Sequence, residues 1–292
     1  MQIVSLVRPL VVALSVVAAH AAVPAHGADP AGGLEYPLAV APATDGSLFV
    51  ADRVMPGLWH IAEGKAAVHF QGSKTFRTPL NAVRTVAVGP DGTVWAGDPA
   101  TRDVHRVAAD GTTQPLTGGK IGIPIDIAVD SQGTLFVSDL ETQRVWRILA
   151  GSAEPVQLAV LAAPRGLFVD ASDQLWAVAA SGDAPLVRIA ADGTVTPVVK
   201  SRAFEFPHDV VVTADGTAYV SDNYAVAVWK VAPDGTVTKW LSGAPLAGPV
   251  GLALRNGRVL VADPKARTVF EIDDAGKAVP LLPAAPVAPA AG

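Results

Sequence analysis

The sequence predicts an all-β fold, a six-bladed β-propeller of four-stranded antiparallel blades, from two observations. A 24-residue segment, Ile125 to Ile148, recurs six times at intervals of 40 to 46 residues, and such a period means stacked units sharing a continuous core. Every copy also breaks into apolar runs too short for helices, separated by turn dipeptides. Composition agrees: 27 Gly and 24 Pro in 292 residues suit many short strands and turns.

The copies begin at Leu38, Arg84, Ile125, Arg165, His208 and Val250. In each, a first apolar run forms the strand that lines the central channel. An Asp-Gly or related turn leads to a second run such as Leu135-Phe136-Val137, because Gly accepts positive φ without steric cost. A loop and a third run, such as Val145-Trp146, come next. A further turn, as at Asp110-Gly111, Asp192-Gly193 and Asp234-Gly235, opens a fourth, outer run such as Thr236 to Trp240. The last copy ends on an outer-type run, Val279 to Leu282, so no spare strand is available to bridge the first and last blades. Closure is expected to rest on blade packing, or on residues 31 to 36 adding to the last blade.

The propeller is bounded at 37–282, with a short lead-in at 29–36 and a Pro/Ala tail at 283–292 expected to be extended and disordered. Arg8, the apolar stretch Leu10 to Ala19, and small residues offering cleavage after Ala21, Gly27 or Ala28 read as a secretory signal over 1–28. The apolar stretch is short for a membrane span, so the chain is expected in the periplasm or secreted, with no span after cleavage. It is read as a monomer. With no Cys, the exported domain is held by packing alone. Loss of Arg8 leaves 21 basic against 27 acidic residues, a net charge of −6, which excludes a basic nucleic-acid-binding field.

Alignment of the copies assigns many conspicuous residues to packing. Trp59, His105, Trp146, Trp229 and Phe270 share one column in the third strand. Phe49, Trp95, Phe136, Trp176 and Tyr219 share another in the second. Rings at equivalent points of successive blades are expected to pack between sheets. Asp52, Asp98, Asp139, Asp222 and Asp263 form a third column, with Ala179 in the fourth blade. Each is expected to accept hydrogen bonds from its own loop.

The pattern Pro124, Ile127 to Asp130, Gly133, Leu135 to Asp139 and Arg144-Val145 resembles the NHL repeat, and the resemblance covers residues 35 to 282. It implies a superfamily shared with peptidylglycine amidating lyases, streptogramin lyases, regucalcin-like gluconolactonases and non-catalytic sensor or interaction domains. Fold alone does not choose among these.

The informative columns are those where the repeats disagree. After the residue that opens each inner strand (Pro37, Val83, Pro124, Pro164, Pro207, Pro249) stand Leu38, Arg84, Ile125, Arg165, His208 and Val250, expected to ring one mouth of the channel. The next column is Ala39, Thr85, Asp126, Gly166, Asp209 and Gly251. Arg84, Arg165, His208, Asp126 and Asp209 therefore form a candidate binding set, suited to a carboxylate or other oxyanion. The competing expectation is that the arginines pair with the two aspartates. Arg53, Asn81, Asn223 and Tyr224 flank the same mouth, and residues 74–78 lie in the longest connection between blades.

The lyases that the sequence resembles hold a divalent metal with histidines from several blades, and that correspondence reaches His208 alone. A zinc site needs three or four convergent ligands. A gluconolactonase-like cation site would draw on Asp126, Asp209, Asn81 and Asn223, but Arg84 and Arg165 oppose a cation. No cofactor is expected, and a divalent metal is disfavoured. Gly-x-Ser-x-Gly, phosphate-loop and dinucleotide glycine patterns are absent.

The favoured reading is an exported propeller that binds a small anionic molecule or peptide end at its axial mouth without catalysis. A lyase or hydrolase using His208 as acid or base, and a protein-interaction scaffold, are the alternatives.

Overall fold

The computed structural model describes residues 33–180 and 183–282; the expected signal and Pro/Ala tail lie outside them. Twenty-four strands, β1 (Pro37–Pro42) to β24 (Ala278–Pro280), form six sheets, each of four sequence-consecutive strands. All ladders are antiparallel. The inner strands β1, β5 (Thr85–Val88), β9 (Pro124–Val129), β13 (Pro164–Val169), β17 (Pro207–Val212) and β21 (Gly251–Arg255) surround the channel.

Each interface between neighbouring blades holds its own apolar cluster, and the strand pleat explains how one repeat serves two interfaces. Second-strand rings face the following blade: Phe49 packs between blades one and two, Phe136 between three and four, Trp176 between four and five. Third-strand rings face the preceding blade: Trp59 packs between blades six and one, and Phe270 between five and six. Adjacent ladder positions send side chains to opposite faces, as in the pairs Phe49↔His60 and Val50↔Trp59. His105 fits the packing column. It is buried, and burial lowers its pKa.

Among the described residues no strand crosses between the first and last sheets, and the two blades meet by packing. Leu34, Val40, Val50 and Trp59 share a cluster with Ala253, Leu260, Ala262 and Val269. Gly251 allows the close approach, because a side chain there would strike the backbone of Leu38 and Ala39.

The aspartate column is fixed as expected. Asp139 is fully buried and accepts from the backbone N–H groups of Gly122, Ile123, Glu141 and Thr142, from Thr142 Oγ1 and from Trp146 Nε1 at 2.6–3.1 Å. It ties the loop entering its blade to the loop leaving the second strand. Asp52, Asp98, Asp222 and Asp263 make the same kind of tie. Four residues on from Asp98, Asp139, Asp222 and Asp263, the chain turns through positive φ at Arg102, Gln143, Val226 and Arg267.

The first hairpins are mostly wider than a two-residue turn. In blade one, Gly46 N–H donates to the Ala43 carbonyl and Ala43 N–H to the Ser47 carbonyl, with Gly46 at φ +86°, a turn ending in a left-handed residue. Among the described first hairpins, that of the sixth blade has a two-residue turn, Asn256-Gly257, between the paired Arg255 and Arg258.

Candidate functional site at the axial mouth

Four inner strands begin irregularly. Their ladders slip just after the opening proline: Pro37 pairs with Asp52 but Ala39 with Ala51, Pro124 with Asp139 but Asp126 with Ser138, and the slips after Pro164 and Pro207 run to Leu167 and Val210. Proline has no N–H for the ladder, and a bulge re-aims the side chains it carries. Leu38, Ile125, Arg165 with Gly166, and His208 with Asp209 are the residues freed from pairing.

Five of the six predicted rim residues, Leu38, Arg84, Ile125, His208 and Val250, line one small axial cavity of about 20 Å³, together with Ala39, Asp126, Gly166, Asp209 and Gly251 one step deeper. That volume holds about one water, so a larger ligand must sit above it. Below lies a channel section of about 170 Å³ lined by inner-strand residues, Asp126 and Asp209 among them. The sixth rim residue, Arg165, swings sideways. Its guanidinium carbon lies 4.2 Å from the centroid of Phe206.

The expected pairing of arginines with aspartates does not occur; neither Arg84 nor Arg165 makes an ion pair with Asp126 or Asp209 among the described residues. The aspartates serve as latches between blades. Asp126 accepts from Thr85 Oγ1 of the preceding blade at 2.6 Å and from Leu167 N–H of the following blade at 2.8 Å. Asp209 accepts from Leu252 N–H of the following blade at 2.7 Å and from Val210 N–H at 2.8 Å. Gly166 and Gly251 let the neighbours approach. A side chain at Gly166 would collide with Asp209.

Electrostatically the mouth is a cationic rim over a buried acidic layer. Burial, then the Arg53 charge, pull the Arg84 pKa down. Burial, then the Arg84 charge, do the same to Arg165. Both stay cationic, and both bury a side-chain Nε that has no hydrogen-bond partner among the described residues. Burial, followed by the charges of Arg165 and Arg84, depresses His208 to about 3, so its imidazole is neutral at pH 7. Burial raises Asp126 to about 6, and raises Asp209 well above the carboxylate range with help from the Asp126 charge.

The flanking residues divide. Arg53 acts on Arg84 through its charge, and Tyr224 stacks on Phe206 at 4.6 Å and 19°. Asn81 instead closes the long loop, its Nδ2 donating to the Ser73 carbonyl at 2.8 Å. Asn223 packs against Gly248, with its N–H on the Phe206 carbonyl. Column reasoning missed Phe206, which also meets the His208 ring edge-on at 5.0 Å. The column one step before the opening residues carried the signal: Phe206 and Tyr36 are its aromatics.

A metal held by histidines does not fit these residues. Among the described residues no three His, Asp or Glu groups converge as ligands, and the guanidiniums crowd the rim where a cation would sit.

The sequence profile of the Virginiamycin B lyase family matches residues 72–281. The chain belongs to that family. A virginiamycin B lyase from Nocardia farcinica is 31 % identical over 169 residues, 58 % of each chain, so the matched stretch spans little more than half of that relative. Among solved structures, a catalytically inactive His-to-Ala variant of virginiamycin B lyase from Staphylococcus aureus with quinupristin is similar at TM-score 0.63 and 18 % identity, covering 78 % of this chain and 77 % of that one. A gluconolactonase from Xanthomonas campestris is similar at TM-score 0.67 and 17 % identity, covering 80 % and 85 %. At such identities these structures show a shared fold.

Proposed function

We propose that this family member binds a small organic anion at its axial mouth, with a carboxylate or comparable oxyanion held by Arg84 and Arg165 and neutral His208 beside it. The observation that carries the reading is that the guanidiniums of Arg84 and Arg165 make no ion pair among the described residues, although two carboxylates lie just below, engaged by backbone N–H groups. The Arg53, Arg84 and Arg165 charges repel one another. An oxyanion above the rim, met by the outer guanidinium nitrogens, offsets that repulsion. The same reading takes residues 1–28 as an export signal, which puts the mouth in contact with extracytoplasmic solutes.

Calorimetry with small carboxylates tests the reading. Charge-assisted hydrogen bonds contribute about 1.5–3 kcal/mol each, so Arg84→Gln and Arg165→Gln should each weaken binding roughly 10- to 100-fold. Unchanged affinity in both variants would sink it.

Family membership favours one second reading, a lyase or hydrolase using His208. A base with a pKa near 3 accepts a proton poorly at pH 7, so that reading requires the substrate itself to raise the imidazole. Conversion of virginiamycin B, followed by liquid chromatography with mass detection and with His208→Gln as control, distinguishes turnover from binding alone.

A further inference from the structure

Beside the arginines, the mouth carries an aromatic wall with a defined order. Phe206 is its centre: the Arg165 guanidinium carbon, the Tyr224 ring centroid and the His208 ring centroid all lie within 5.0 Å of the Phe206 centroid. Tyr224 stacks nearly parallel on Phe206, yet remains 67 % exposed. One of its faces is covered by Phe206, and the rest of the residue is open to solvent. A cation and an open ring thus flank one shared side chain.

Building on the anion-binding reading, we infer that the ligand class is an aryl carboxylate, a planar aromatic ring carrying a carboxylate a few bonds away. The carboxylate meets Arg84 and Arg165 at the rim, and the ring lies on the free face of Tyr224. Offset stacking suits the parallel geometry already present between Tyr224 and Phe206. The Arg165 charge over Phe206 holds the platform in place through a cation–π contact. A saturated ring of similar size would gain apolar contact without the stacking preference.

The test uses 3-phenylpropionate, 3-cyclohexylpropionate and propionate, titrated calorimetrically into the wild type, Tyr224→Leu and Arg84→Gln. The expected result is a phenyl-over-cyclohexyl preference of about 3- to 10-fold in the wild type, abolished in Tyr224→Leu. Tyr224 is exposed, so its replacement does not threaten the fold. Equal binding of the phenyl and cyclohexyl acids, or a preference that survives Tyr224→Leu, overturns the aryl inference and leaves anion binding standing. If no acid binds, or if Arg84→Gln binds all three as the wild type does, both readings fall.

Discussion

An anion seated at the mouth should raise the pKa of His208. In the free protein that group stands at about 3, held down first by burial and then by Arg165 and Arg84. A bound anion puts a negative charge beside the imidazole and offsets both guanidiniums. At roughly 5 Å and an effective dielectric near 20, the attraction for an imidazolium is about 3 kcal/mol, or about two pKa units. Further desolvation by the ligand works against this, leaving a rise of about one unit, from about 3 to about 4. The sign of the linkage follows: the complex binds the proton more tightly, so affinity climbs about tenfold as pH falls through that window and is flat with respect to His208 above it. Asp126, at about 6, acts in the same direction, since its ionisation places a negative charge below Arg84 and weakens anion binding as pH rises through 6. Benzenesulfonate is the suitable probe, because it does not titrate in this range. The His208 Cε1–H resonance, assigned with His208→Gln, should titrate at higher pH when the sulfonate is saturating. A His208 pKa that stays put or falls on saturation refutes the placement of the anion beside the imidazole.

Two further outcomes concern the scaffold. Asp139→Ala strips six donors of their buried acceptor and should cost about 3–5 kcal/mol in a urea titration. Gly166→Ala forces a side chain against Asp209 and should cost about 1–3 kcal/mol while also weakening anion binding, because the collision lies one step below His208; a silent variant would contradict the close blade contact.

The repeat made the fold legible because a propeller blade is a local object. Its turn dipeptides, alternating strands and loop-fixing aspartates all recur, and comparison of copies separated the packing rings from the rim. The two faces served by Trp59 and Phe49 were not legible, since they depend on which neighbour each pleat meets. At the mouth, Arg84 and His208 were found because they break a column. The latching role of Asp126 and Asp209 was hidden, because it depends on backbone N–H groups 41 and 43 residues away in the following blades. Arg165 stood in the right column, but the sequence could not show that Phe206 draws its guanidinium aside.

A crystal structure of the protein saturated with 3-phenylpropionate would locate the anion. The carboxylate is expected above the axial cavity, within about 3.2 Å of an Arg84 nitrogen, with the phenyl ring toward Tyr224. A carboxylate bound elsewhere, with the mouth unoccupied at saturation, would contradict anion binding at the mouth.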